Sequence, residues 1–331
     1  MIQESPWQAA RPLGFTGYGL KCDGRDCGGR ILLRKLLKNL RGLLIFAVMT
    51  INTIFWFVPL FFFAILKLLV PASRFRRLMT NWIMAMGEYW VSANALIFSI
   101  TNDTHWDVRG LGGLRRDGWY LIIVNHQTWT DIVVLQTIFN RRIPFLKFFI
   151  KQQLIWFPIL GIAWWAMDMP FMKRHSKSYL AAHPDQKGKD FEATRKACEK
   201  FRETPTSVIN FIEGTRATPE KRARRRSPFE NLLPPRAGGI ALALSSMGDM
   251  FDAILDVTVV YPSGPTRFWD MLCGKFDSTI VEVTRRPVED WMITGDYSND
   301  RDYRRHFHQW LNRVWEEKDV RISVLQAKPA T

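Results

Sequence analysis

The chain has 331 residues, and 46 Lys and Arg against 31 Asp and Glu leave a formal charge of +15. Hydrophobic residues make up 47% and charged ones 23%, which excludes a disordered polyelectrolyte. A mean hydropathy of −0.11 excludes a transporter of many spans. The 14 Trp and 23 Phe, against 7 Tyr, suit an acyl-chain pocket or a membrane interface. The positive balance calls for an anionic partner, whether nucleic acid, anionic lipid or a phosphorylated small molecule. Cys22, Cys27, Cys198 and Cys273 form no paired CxxC motif, which fits a reducing compartment.

Residues 1–29 are punctuated by Gly and Pro and read as a flexible tail. The spacing of Cys22 and Cys27 reads as incidental, because a zinc clip needs two further ligands nearby and the first His is His105. Residues 30–41 (RILLRKLLKNLR) are a basic amphipathic run suited to an anionic leaflet. Residues 42–66 then carry no charge over 25 positions. As a helix they cover about 37 Å, enough to cross a hydrocarbon core of roughly 30 Å. The run is too long, and too far from the first residue, for a cleaved signal peptide. Basic residues flank it on both sides (30, 34, 35, 38 and 41 before; 67, 74, 76 and 77 after), so the positive-inside rule puts both flanks on one side. Pro59, with Asn52 before it, is the expected break that turns the run into a re-entrant hairpin. Residues 78–100, whose one charge is Glu88, make a second, interfacial helix. Residues 30–101 together therefore read as a helix pair embedded in one leaflet.

Residues 102–331 read as one α/β domain. Residues 119–126 (WYLIIVNH), 206–214 (TSVINFIEG) and 252–262 (DAILDVTVVYP) are short apolar runs typical of strands buried on both faces. Residues 131–139, 192–203 and 237–247 read as helices between them. That alternation predicts an α/β fold with a largely parallel sheet flanked by helices, preceded by the membrane-embedded segment. The stretch 152–167 lacks charge for 16 positions, too few to span, and is interrupted by Pro158. Near the C-terminus, Tyr303, Phe307, Trp310, Leu311 and Val314 form the apolar face of an amphipathic helix.

No GxSxG, HExxH, P-loop or GxGxxG motif is present. What stands out is His126 and Asp131 in VNHQTWTD, at the exit of the first buried strand. A helix would place them about 140° apart. A strand-to-helix turn lets Asp131, in the first turn of the next helix, bend back to the imidazole. Such a carboxylate fixes the tautomer and leaves Nε2 free as a general base. FIEGTR (211–216) ends the second buried strand, with Thr215 and Arg216 offering donors to a phosphate. Beyond it, residues 221–226 extend a basic loop that either faces solvent or lipid, or serves the substrate. Ligands of open α/β sheets bind at such carboxyl ends.

These blocks resemble the glycerolipid acyltransferases of the 1-acylglycerol-3-phosphate acyltransferase type. Asn125, His126 and Asp131 match the family's NHxxxxD block. Lys151, Leu154, Pro158, Gly161, Phe171 and Arg174 match its second block. Phe211, Glu213, Gly214, Thr215 and Arg216 match FPEGTR, with Ile212 in place of Pro. VTVVYP matches the fourth, with Thr258 in place of Pro and Pro262 retained. The resemblance covers about residues 110 to 265, and EGTRATPEKRARRRSPF is similar to the bacterial YihG-type inner-membrane branch. It implies a membrane-bound enzyme that moves a fatty acyl group from acyl-CoA or acyl-carrier-protein to the sn-2 hydroxyl of lysophosphatidic acid, giving phosphatidic acid. His126 would be the general base and Asp131 its orienting partner. Arg216, with Glu213, Gly214 and Thr215, would position the glycerol phosphate, and Arg174 and Arg236 are further candidates. Asn125, Lys151, Phe171 and Pro262 enter as substrate contacts. Residues 152–171 either line the acyl channel or pack at the core or membrane interface. The resemblance implies no metal or organic cofactor, membrane lipids as partners, and the cytoplasmic side of a bacterial inner membrane. Remodelling of another lysophospholipid would use the same residues, whereas a nucleic-acid binder leaves the ordered blocks unexplained.

Overall fold

The computed structural model describes residues 27–172, 200–297 and 299–327. The tail up to residue 26, Arg174 and most of the helix expected at 192–203 lie outside the described residues. Residues 27–29, expected in the tail, open the first helix.

The N-terminal section is a helical hairpin. α1 (Cys27–Leu69) runs without interruption through Pro59, and α2 (Ser73–Thr101) returns antiparallel against it. The expected break at Pro59 is therefore corrected: the chain reverses at residues 70–72. Asn52 serves the pairing of the two helices instead, its Nδ2 donating to Asn94 Oδ1 at 2.9 Å. Trp90 Nε1 donates to Thr53 Oγ1 at 3.1 Å beside it. In apolar surroundings such side-chain pairs hold helices together without charge.

The α/β body follows as β1 (His105–Arg109), β2 (Tyr120–Val124), α3 (Thr130–Phe139), β3 (Leu146–Phe148), β4 (Ile150–Lys151), a 3₁₀ turn (Gln152–Trp156), α4 (Leu160–Ala166) and β5 (Phe171–Met172). Then come β6 (Ser207–Phe211), α5 (Pro219–Arg225), α6 (Gly238–Met247), β7 (Ala253–Val260), α7 (Phe268–Leu272), β8 (Ser278–Arg286), α8 (Asp290–Thr294) and α9 (Arg301–Gln326). Six strands form one sheet in the order β1-β8-β7-β2-β6-β3, parallel throughout except for the β7–β8 pair.

The period of two in β2 divides the core. Leu121 and Ile123 point into one layer, covered by α6 and by Phe307, Leu311 and Trp315 of α9. Tyr120, Ile122 and Val124 point into the other, covered by α3 and by Ile45 and Phe98 of the hairpin. A third cluster joins Leu60, Ala64, Ile83 and Met86 of the hairpin to Ile150 and Ala166–Met167. Val124 stands level with Phe211 and with Val257, so the three central strands deliver their following residues to one carboxyl edge.

Candidate active site

His126 leaves the edge two residues beyond β2, and its position is held on every side. Its backbone N–H donates to Glu213 Oε1 at 2.7 Å, and its carbonyl accepts from Ala217 N–H at 2.7 Å. Its ring lies on Phe211, centroids 4.1 Å apart. Nδ1 sits 2.8 Å from Asp131 Oδ2.

Asp131, fully buried in the first turn of α3, is an acceptor at both oxygens. Oδ2 takes the backbone N–H groups of Gln127 at 2.6 Å and Thr128 at 3.0 Å, while Oδ1 takes the Tyr261 hydroxyl at 2.6 Å. The Nδ1 contact then completes the set with Nδ1 as donor, which leaves the Nε2 lone pair for an incoming proton. No hydrogen bond among the described residues engages Nε2. Tyr261 follows β7, and its phenol is held well above its ordinary pKa by burial and then by Asp131, so it stays a donor. Sequence reasoning missed Tyr261 as a site residue; its place at a strand end, just before Pro262, was the available signal.

Glu213, expected beside a phosphate, turns both carboxylate oxygens to backbone donors. It is wholly buried, with Oε1 on His126 N–H and Oε2 on Leu233 N–H at 2.8 Å. Burial pushes its carboxyl from 4.5 to about 7, and the two N–H donors only partly oppose this. Asn125 is likewise internal: its amide exchanges two 2.9 Å hydrogen bonds with the backbone of Val259, continuing the β2–β7 ladder by one side chain. Glu213 thus ties the His126 backbone to that of Leu233, while Asn125, the residue before His126, is anchored to Val259.

The donors expected for an anion lie on or against the segment that follows β6, which the Ala217 N–H ties to the His126 carbonyl. Gly214 has φ +66, and the Arg236 side chain packs on the space a Cβ would fill. Arg216 is exposed and stacks over Trp129, 5.3 Å to the ring centroid, bridging the two sequence blocks. Lys221 Nζ folds back to Thr215 Oγ1 at 2.8 Å and to the Arg216 carbonyl at 3.0 Å. The basic loop expected here is a short helix, α5, because Thr218 caps it and Pro219 opens it.

Lys151 is exposed on β4, level with Met172 of β5; Phe171, opposite Ile150, packs in the hairpin-side cluster, and Pro262 is half-buried. The stretch 152–166 lies largely at the surface.

Residues 105–264 match a family model described as Acyltransferase, and all four sequence blocks fall inside that range. That stretch is acyltransferase-like. Among curated relatives, the mouse 1-acyl-sn-glycerol-3-phosphate acyltransferase epsilon is 24% identical over 77% of this chain and 70% of its own length. The human delta enzyme is 24% identical over 60% of this chain, which spans about half (51%) of that relative. The crystal structure of the 1-acyl-sn-glycerophosphate (LPA) acyltransferase PlsC from Thermotoga maritima shares the fold, with a TM-score of 0.56 at 15% identity. That match covers 90% of this chain and 100% of that one.

Proposed function

We propose that this protein is a membrane-anchored O-acyltransferase that moves a fatty acyl group from an acyl thioester to the sn-2 hydroxyl of lysophosphatidic acid, giving phosphatidic acid. One observation carries the chemistry: an imidazole whose Nδ1 is committed to a buried carboxylate, with Nε2 open at the carboxyl edge beside a cluster of cationic and hydroxyl donors. The names of the relatives support the acceptor.

Nε2 of His126 takes the proton of the acceptor hydroxyl as its oxygen attacks the thioester carbonyl. Asp131 stabilises the imidazolium that forms. Collapse of the tetrahedral intermediate breaks the C–S bond, and the departing thiolate takes the proton back from Nε2. Arg216, Lys221, Thr215 and Arg236 hold the acceptor phosphate, so that the hydroxyl arrives next to His126. The donor is acyl-CoA or acyl-carrier-protein. The site operates at the cytoplasmic face of a bacterial inner membrane, with the α1–α2 hairpin in the adjoining leaflet.

An acceptor panel tests the reading: full-length protein in vesicles, one labelled acyl thioester, and lysophospholipids of different headgroup. Lysophosphatidic acid should be the preferred acceptor. Equal use of zwitterionic lysophospholipids would move the assignment to lipid remodelling. His126→Ala should lower transfer ~10²–10⁴-fold with normal membrane content, and retention of more than about a tenth of the activity would remove His126 from the chemistry.

A further inference from the structure

The segment from the 3₁₀ turn after β4 through α4 turns many of its apolar side chains outward. Trp156 is 86% exposed, and Leu154, Phe157, Ile159, Ile162 and Trp165 are exposed around it. A channel lining would face inward, and these side chains do not.

The backbone is bent to present them. Ile159 sits at φ +62, ψ −61, and Leu160 N–H donates to the Pro158 carbonyl at 2.6 Å across it. This three-residue turn is rare and strained for a β-branched residue. The chain also doubles back tightly, since a Cβ on Gly161 would run into the Ile155 carbonyl. Strain that serves only to expose Trp and Phe needs a partner outside the chain.

The inner side of the segment identifies that partner. Ala166 and Met167 pack with Leu60 and Ala64 of α1 and Ile83 of α2. Lys67, at the end of α1, donates to the Ala166 carbonyl at 3.3 Å and pairs with Asp168 at 2.6 Å. The outward side chains thus belong to an element packed on α1, whose own apolar side chains Phe61, Phe62 and Ile65 are exposed. Trp and exposed Lys151 at the margin of such a face suit the headgroup boundary.

We propose that residues 154–165 are a second membrane contact, a wedge seated in the headgroup region of the leaflet that holds the α1–α2 hairpin. The proposal rests on the membrane reading of the hairpin. With the wedge in place, the body is fixed by two separate contacts instead of pivoting about one hairpin.

Depth-dependent quenching tests it with the full chain, in a background lacking the native cysteines. An environment-sensitive fluorophore is placed on Trp156→Cys, on Phe55→Cys of the outer α1 face, and on Arg305→Cys of α9. Vesicles of phosphatidylethanolamine and phosphatidylglycerol carry nitroxide lipids labelled near the headgroup or deep in the chain. The probes at 156 and 55 should be quenched, the one at 156 more strongly by the shallow label, and the probe at 305 should not. Quenching at 55 without quenching at 156 overturns the wedge and leaves the hairpin anchor standing. Loss of quenching at both positions removes the anchor as well. A probe at 156 shielded from aqueous iodide yet insensitive to nitroxide lipids means a protein occupant, and overturns the proposal too. Ile162→Cys repeats the measurement if the variant at 156 fails to fold.

Discussion

Four donors converge on Asp131, and only the Tyr261 hydroxyl comes from a distant strand end. Tyr261→Phe keeps the ring packed near Phe276 and deletes that donor. Asp131 then orients the imidazole with one of its own anchors missing. The expected result is a kcat lower by roughly tenfold, the scale of one hydrogen bond to a carboxylate. Neither KM should change. A lower melting temperature with kcat unchanged would make Tyr261 merely structural. Glu213 supplies a stability test. The unfolded chain releases its proton near 4.5 and the native protein near 7. Its contribution is therefore complete below pH 4.5 and is lost as pH rises to 7, on the order of 3 kcal/mol in all. Melting temperatures should fall across that window, and in Glu213→Gln this component of the slope should vanish. An unchanged slope in the variant would place the titration elsewhere. The His126–Asp131 pair was legible in the sequence because a strand end and a helix start fixed its geometry locally. The hydrogen-bond partners of Asn125 and Glu213 were not, because the backbones of Val259 and Leu233 lie 134 and 20 residues away.

Among the elements, those buried on both faces were the legible ones. β2, β6 and β7 are continuous apolar runs, whereas β1 (HWDVR) and the polar second half of β8 show neither a continuous run nor clean alternation. Pro59 misled because a proline breaks a helix in water, where the freed carbonyl finds another partner; within a long apolar helix packed on a neighbour, the helix continues. The C-terminal helix holds the least expected feature. The stripe Phe307, Leu311, Val314, Ile322 and Leu325 includes Lys318, which is fully buried. Its ammonium donates to the Val257 carbonyl at 2.6 Å and to Thr258 Oγ1 at 3.1 Å, and pairs with Asp256 at 2.5 Å. Thr258 stands where the resembled family has Pro, and its hydroxyl gives Lys318 an acceptor that Pro lacks. Burial lowers the lysine pKa and Asp256 opposes the shift. Lys318→Met leaves Asp256 with Arg286 alone and should cost about 3–5 kcal/mol in denaturant unfolding. Adding Asp256→Asn should recover part of that loss. A single variant within about 1 kcal/mol of the parent would mean that the buried pair contributes little net stability.

At the scale of the whole molecule, the question is how the hairpin meets the membrane. Near the start of α1, Gly42 is buried against Cys273 and Trp269, and Trp269 Nε1 donates to Asn39 Oδ1 at 3.5 Å. Near its end, Lys67 reaches Asp168 and Ala166. These contacts are 25 residues apart, about 37 Å along a helix, and both are made with the same α/β body. Ile45, Leu60 and Ala64 are buried along the inner side between them, while most of the outer apolar residues are exposed. A helix crossing the bilayer would carry one of these ends roughly 30 Å away from the body. The geometry therefore favours α1 lying along one leaflet, in agreement with the basic residues on both flanks of 42–66, although the turn is at 70–72 rather than at Pro59. Single cysteines at Leu36 and Arg76, in a background lacking the native four, test the arrangement in cells. Both should be protected from an impermeant thiol reagent while the membrane is intact, and both should react once it is opened. Labelling of position 76 from outside intact cells would show that the run spans the bilayer, and would require Lys67 to leave Asp168 when the protein inserts.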